Sequence, residues 1–129
     1  MSIDVKWLSP ESNIIRLTID QRWSWSDFFS ARQQMYDLMD KSDHQDIDYI
    51  LDMRNAPTLP ENVLSQMRNL GQKHHPKSRH MIVVGANRFI KTMFDIMQTL
   101  TPSRMEHITL VQTLEDAEAT LKRKYQIYE

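Results

Sequence analysis

The sequence contains no cysteine. This absence excludes disulfide bonds, thiolate metal ligands and cysteine nucleophiles, and it is compatible with a reducing compartment such as the cytoplasm. Polar and apolar residues alternate from Met1 to Leu8, so this stretch lacks the continuous apolar core of a signal peptide. The densest apolar stretch, Met81 to Ala86, is far shorter than the ~20 residues that a membrane-spanning helix requires. We therefore expect a cytoplasmic protein without a transmembrane segment.

Glycine is also scarce, since Gly71 and Gly85 are the two glycines of the sequence. Two isolated glycines cannot form a Walker phosphate loop or a dinucleotide-binding fingerprint, and we expect no cofactor. The formal net charge of −1 gives no overall attraction for a phosphate backbone, so nucleic acid is not an expected partner.

The size and composition of the chain are those of one folded domain. Its 129 residues fall within the usual range of a single domain, and 40% of them are hydrophobic. Neither an internal repeat nor a low-complexity linker divides the sequence. We therefore treat residues 1–129 as one domain.

Short apolar or alternating runs predict five strands. The short turn between the first two favours an antiparallel hairpin. The predicted strands run from Ile3 to Trp7, Ile14 to Ile19, Ile47 to Arg54, His80 to Val84 and His107 to Val111.

Apolar residues at helical spacing predict four helices between and after these strands. Ser24 with Asp27 forms a capping pair for the first helix, and Ser26 is an alternative start. Trp25 and Phe28 fall on its apolar stripe, whereas Trp23 lies outside it and is the better contact residue if it is exposed. The predicted helices run from Trp25 to Met39, from Pro60 to about Lys73, from an Asn87 cap to a stop at Pro102, and from Thr113 to about Tyr125.

The resulting order is β-β-α-β-α-β-α-β-α, which defines an α/β fold. Alternating strands and helices imply right-handed crossovers and a mainly parallel sheet, with the first strand as the antiparallel exception. We expect a five-stranded, mixed, mainly parallel sheet flanked by four helices.

Two segments accompany this element order, Trp23-Ser24-Trp25-Ser26-Asp27-Phe28 at the first helix and Ile50-Leu51-Asp52-Met53-Arg54 at the third strand. Together they resemble the SpoIIAA-like group, which covers the STAS domains and is similar in architecture to CRAL-TRIO lipid-transfer domains. The resemblance implies a mixed sheet flanked by helices. It also implies a role in protein–protein regulation or in binding nucleotides or lipids, with no hydrolytic or redox activity.

The sequence departs from this group at the turn after the third strand. Anti-sigma-factor antagonists of the group carry an Asp-Ser-Ser-Gly-like turn with a phosphorylated serine. Here the stretch from Thr58 to Asn62 reads Thr-Leu-Pro-Glu-Asn, without serine or glycine. We therefore do not assign a phosphorylation switch.

Ligands of parallel α/β sheets bind beyond the carboxyl ends of the strands. Gly85 permits close backbone approach there, and the following helix terminus favours an anionic group. The alternative is that Asp52 pairs with a neighbouring arginine and that Asn87 only caps its helix. The candidate ligand- or partner-binding residues at this rim are Arg22, Trp23, Asp52, Arg54, Asn55, Gly85, Asn87 and Arg88.

The segment from Lys73 to His80 holds three of the five histidines together with several cations. Adjacent histidines beside cations are poor metal ligands, so we expect no metal site. An acidic run from Asp37 to Asp48 precedes the third strand, and this basic run precedes the fourth. Because both enter parallel strands from the same edge, we expect them to lie side by side and to neutralise each other in part.

The functional hypotheses follow from these patterns. The leading one is a non-catalytic regulatory module that meets a protein partner, with a homodimer as one arrangement. The alternative is a carrier of a small lipid or other apolar ligand, since Met93 and Met97 lie on the apolar side of the third helix. A hydrolase or transferase with an unrecognised site is the remaining class. No serine lies in a nucleophile elbow, and the one acid–base pair considered, Asp52 with His107, falls on opposite edges, so we assign no catalytic residue.

Overall fold

Five strands form one mixed sheet in the computed structural model, which describes residues 3–20, 22–56, 59–63, 65–66, 75–100 and 102–125. They follow one another across the sheet in chain order, β1-β2-β3-β4-β5. The hairpin pair β1 and β2 is antiparallel and the other three neighbouring pairs are parallel, as predicted. The strands are β1 (Ile3–Trp7), β2 (Ile14–Ile19), β3 (Ile47–Asp52), β4 (Ser78–Val84) and β5 (Ile108–Val111).

Three long helices and one single turn accompany these strands in the described part of the chain. Each long helix is preceded by a residue whose side-chain oxygen accepts a backbone N–H. Ser24 and Asp27 form a reciprocal capping box, so the alternative start at Ser26 is not used. Asn87 and Thr113 cap the other two as predicted. The helices are α1 (Trp25–Lys41), α2 (Arg88–Leu100), α3 (Pro102–Met105) and α4 (Leu114–Tyr125).

The described residues contain three long helices, one fewer than the four predicted. Most of the helix expected from Pro60 to Lys73 lies outside the described residues. Within the described part, helical residues begin at Val63, so Pro60 is not in the first turn as predicted. Asn62, which precedes Val63, adopts a left-handed φ of 63°. The α3 turn after Pro102 was not predicted; proline suits a first helical position as well as a helix stop.

Three strand boundaries differ from prediction; β5 begins at Ile108 instead of His107, and the other two differ for local reasons. The third strand ends at Asp52 instead of Arg54, because the Asp52 carboxylate accepts the Arg54 N–H at 3.2 Å and the chain turns. The fourth strand begins at Ser78, and a bulge in its pairing sets both Arg79 and His80 opposite Asp48.

Alternate strand residues enter two separate cores, one on each face of the sheet. Right-handed crossovers between strands that follow each other in order put α1 and α2 on the same face. The terminal helix α4 covers the other face, where Ala117 and Leu121 pack on Ile50 and Ile82. None of the described helices combines the length and apolar content needed to cross a bilayer.

Candidate functional site

The carboxyl rim of the sheet brings together three of the predicted site residues. Asp52 pairs in register with Val84, so the residues that follow β3 and β4 are neighbours. A Cβ atom on Gly85, whose φ is 77°, would lie 2.5 Å from Cγ of Arg54. Glycine is therefore required here for the close approach of Arg54 as well as for its backbone conformation.

Asp52 is the centre of an ion-pair network and not a free ligand group. Its carboxylate accepts hydrogen bonds from Nη2 of Arg16 at 2.8 Å and from Nε and Nη2 of Arg54 at 2.9 and 2.8 Å. Burial by itself raises the pKa of Asp52, but the hydrogen bonds from Arg54 and Arg16 outweigh it and hold the pKa below its usual value. Asp52 therefore stays ionised and pairs with arginine, which is the alternative interpretation given for this rim.

The other predicted rim residues include three exposed side chains and one helix cap. Arg22, Asn55 and Arg88 are exposed. The side-chain oxygen of Asn87 accepts the N–H of Ile90 at 2.9 Å, so it acts as the helix cap. The rim is a line of exposed polar groups beside a closed ion-pair network.

Trp23 is buried, with 9% of its surface exposed, so the condition for its prediction as a surface contact residue is not met. It precedes the Ser24 cap, and its ring lies 6.1 Å from that of Phe28 four residues into α1. This pairing is a hydrophobic staple, a signal that the sequence already contained. Trp23 belongs to the core on the α1 and α2 face, whereas Asp52 follows Ile50 on the α4 face, so the sheet separates the two.

The acidic and basic runs lie side by side at the opposite rim, as predicted. Arg79 donates two hydrogen bonds to buried Asp48, at 3.0 and 2.6 Å. His75 contacts Asp40 at 2.6 Å. Lys73 and His74 lie outside the described residues. The ammonium group of Lys77 donates instead to the carbonyl oxygens of Met39 and Ser42, so the two runs neutralise each other in part.

Two other candidate chemistries can be compared with the described residues. The described residues contain no cluster of three or more histidine, aspartate or glutamate side chains that could hold a metal ion. Asp52 ends β3, while His107 precedes β5, whose Ile108 pairs with Met81 near the start of β4. The two residues therefore lie at opposite rims.

An apolar cavity of about 380 Å³ lies between the sheet, α1 and α2. Its floor includes Leu17, Leu51 and Val83, which pair in register across three neighbouring strands. Phe28 of α1 and Ile90 of α2 lie in its walls. Hereafter this space is called the cavity.

Methionine is unusually common around the cavity. Among the described residues, six of the nine methionines of the sequence line it, from four different elements and one loop. Methionine adapts its flexible side chain to ligands of varied shape. They are Met35, Met53, Met81, Met93, Met97 and Met105.

One stretch of the cavity lining is polar. Arg32 and Tyr36 of α1 lie there with Tyr49 of β3 and Ser78 of β4. The cavity lining also includes Asp46, Arg79, His80 and His107. Burial raises the pKa of Tyr49 to about 12, with a smaller contribution from Tyr36, while a hydrogen bond with Ser78 and the charge of Arg32 lower it. Tyr49 therefore keeps its proton at neutral pH and can donate a hydrogen bond.

The location of the cavity was not predicted from the sequence, although the sequence contains two features that indicate it. Met93 and Met97 were predicted to line a lipid pocket if one exists, and both line the cavity. Arg32 stands within the apolar stripe of α1, between Phe28 and Met35, which is an unusual place for a cation that only faces solvent. The sequence matches no protein-family model and no curated protein.

Proposed function

We propose that this protein binds a small apolar ligand in the cavity and does not catalyse its conversion. The observation that carries the proposal is the cavity itself, which lies between two helices and the sheet and is lined mainly by apolar side chains. Its volume of about 380 Å³ falls in the range of small-molecule pockets, roughly 300–1,000 Å³. Protein interiors are normally close-packed, so an apolar space of this size favours a ligand.

The proposed relationship to the SpoIIAA-like and STAS domains agrees with this function. The mixed five-stranded sheet carries helices on both faces, which is the arrangement that the resemblance implies. The same resemblance extends to the architecture of CRAL-TRIO domains, which carry lipids. We propose a STAS-like fold on these grounds.

The state of Asp52 supports a binding role over a catalytic one. A general acid or base works best with a pKa near the working pH. The two arginines that bind Asp52 hold its pKa below the usual value, away from that range. A panel of hydrolase and transferase substrates tests the alternative, and turnover that Asp52→Ala abolishes would favour an enzyme.

Titration with the neutral probe N-phenyl-1-naphthylamine tests the binding proposal. We expect its fluorescence to rise on saturable binding to the wild type. Val83→Phe places a ring on the cavity floor and should weaken this binding at least tenfold. Leu100→Ser, a change outside the cavity lining, should leave it unchanged. Absence of saturable binding, or equal binding by Val83→Phe, would contradict the proposal.

A second candidate function, regulation through protein contact, is favoured by the outer face of α2. Phe89, Ile96 and Leu100 are 55%, 40% and 64% exposed and lie along one side of the helix. The net charge of −1 opposes self-association only weakly, so we propose that a second copy of this chain binds to this face of α2. Sedimentation should then show a dimer that Phe89→Ser with Leu100→Ser converts to a monomer. A monomeric wild type would exclude the second copy, and native mass spectrometry of the same sample would show any bound lipid.

A further inference from the structure

The geometry points to an amphiphile with a carboxylate head group as the ligand, bound with its head at Arg32, Tyr36 and Tyr49 and its tail towards Trp23. This inference rests on the proposed function, because it adds a polarity and an orientation to ligand binding in the cavity. Its starting point is the group of polar side chains around Arg32 in a mainly apolar lining.

Arg32 is held in place by aromatic rings and not by a carboxylate. Its guanidinium carbon lies 5.0 Å from the ring centroid of Phe29 and 5.8 Å from that of Tyr36. Within the described parts of the chain it forms no ion pair. A guanidinium ordered by cation–π contact keeps its N–H groups available for an anion.

The neighbouring charges already have partners of their own. Asp46 also lines the cavity, and its carboxylate lies 3.9 Å from Arg79. Asp40 contacts His75 at 2.6 Å. Neither carboxylate is therefore paired with Arg32, and its guanidinium can form an ion pair with a ligand.

Two phenols complete the head-group site. Tyr36 follows Arg32 by one helical turn, and Tyr49 faces them from β3 and remains protonated at neutral pH. A carboxylate accepts several hydrogen bonds, and a guanidinium with phenol donors supplies them at an apolar boundary. Ser78, which hydrogen-bonds with Tyr49, adds a third hydroxyl group beside this site.

The direction of α1 sets the direction of the ligand. The helix starts at the carboxyl rim, where Trp23, Trp25 and Phe28 line the cavity, and runs back towards the start of β3. Arg32 lies further along it, beyond these rings. The apolar tail is therefore expected between the rings and the methionines, with the head nearer the opposite rim.

Displacement of N-phenyl-1-naphthylamine by matched dodecyl compounds tests the inference. Dodecanoate should displace the probe from the wild type at a concentration at least tenfold lower than dodecanol requires, because its carboxylate gains charge-assisted hydrogen bonds. Acetate should not displace it, because it has no tail. Arg32→Met keeps the apolar stem and should remove the preference, Arg32→Lys should keep part of it, and Tyr49→Phe should reduce it. Arg88→Met, at the exposed start of α2, is the matched control and should behave as wild type.

The outcomes separate this inference from the proposed function. If the probe and dodecanol bind but dodecanoate has no advantage, or if Arg32→Met and Tyr49→Phe both keep the advantage, the head-group assignment is wrong and the apolar site stands. If the probe and all the dodecyl compounds fail to bind, the proposed function is wrong as well. If acetate alone displaces the probe, the site is a small-anion site and the amphiphile is wrong.

Discussion

The indole rings of Trp23 and Trp25 meet edge to face, with their centroids 5.0 Å apart and their planes at 74°. Trp25 donates its indole N–H to the carbonyl oxygen of Glu61 at 2.7 Å, whereas Nε1 of Trp23 has no hydrogen-bond partner among the described residues. Both rings line the cavity. This aromatic pair fixes the start of α1 and supplies a spectroscopic reporter inside the proposed binding site.

Tryptophan quenching should reveal the orientation of the bound ligand. In a Trp7→Phe background, the remaining tryptophans are Trp23 and Trp25. Bromine quenches an indole at short range, so 12-bromododecanoate should quench this protein more strongly than 2-bromododecanoate, because the tail lies at the rings and the head at Arg32. Stern–Volmer plots at equal occupancy measure the difference. Stronger quenching by the 2-bromo acid would reverse the orientation.

Removal of the buried charge at Asp52 should destabilise the fold. Asp52→Asn leaves Arg16 and Arg54 without their carboxylate, and we expect a loss of about 2–3 kcal/mol in the free energy of unfolding. Asp4→Asn is the matched control, since Asp4 and Lys6 form an exposed pair at 3.6 Å that is worth less than about 1 kcal/mol. Urea denaturation measures both. Equal effects would mean that the Asp52 network does not stabilise the sheet.

Substitution of Gly85 should be costly for two reasons that can be separated. Gly85→Ala combines an unfavourable φ with a contact of 2.5 Å to Arg54, and we expect a loss of about 2–4 kcal/mol. In an Arg54→Ala background the nearest atom is removed, so the same change should cost less. Denaturation of the four members of this double-mutant cycle gives the coupling. A cycle without coupling would show that the backbone conformation alone requires glycine.

Lowering the pH should destabilise the protein through His80. Burial lowers the pKa of His80 from 6.5 to about 4, with smaller contributions from Lys124, His107 and Arg79. Between these two values the unfolded chain binds a proton that the folded chain does not, so stability falls as the pH falls from 6.5 to 4. The loss from this one group is at most about 3 kcal/mol.

The variant His80→Gln isolates this contribution. It should flatten the pH dependence between pH 6.5 and 4, whereas the exposed control His107→Gln should keep most of it. The lowered pKa of Asp52 adds a separate loss as the pH falls below its ordinary value. Denaturant midpoints at several pH values measure these slopes. An unchanged slope in His80→Gln would show that His80 is not the group responsible.

Local patterns account for the parts of the fold that the sequence predicted well. Short apolar or alternating runs located all five strands, and the capping chemistry of Ser24, Asn87 and Thr113 located the starts of three helices. Each of these features depends on residues within a few positions of one another. The directions of the strands then followed from the short hairpin and from the crossover rule, whereas the order of the strands across the sheet was not predicted.

The parts that were missed depend on contacts between distant segments. Asp52 was recognised as either a ligand group or an ion-pair partner, and its contact with Arg16 comes from the pairing of β2 with β3. The cavity depends on how far α1 and α2 stand apart over the sheet, which no local pattern determines. Trp23 was different, because the staple with Phe28 is a local signal that was not used.

Methionine methyl NMR is the most direct test of the central claim, that an apolar ligand occupies the cavity. With methyl-¹³C methionine, titration with dodecanol should shift the methyl resonances of the six methionines that line the cavity. Met39 is buried in the same core and does not line the cavity, so it serves as an internal control and its resonance should stay in place. A titration that leaves Met93 and Met97 unchanged, or that moves Met39 as much as these two, would contradict the account.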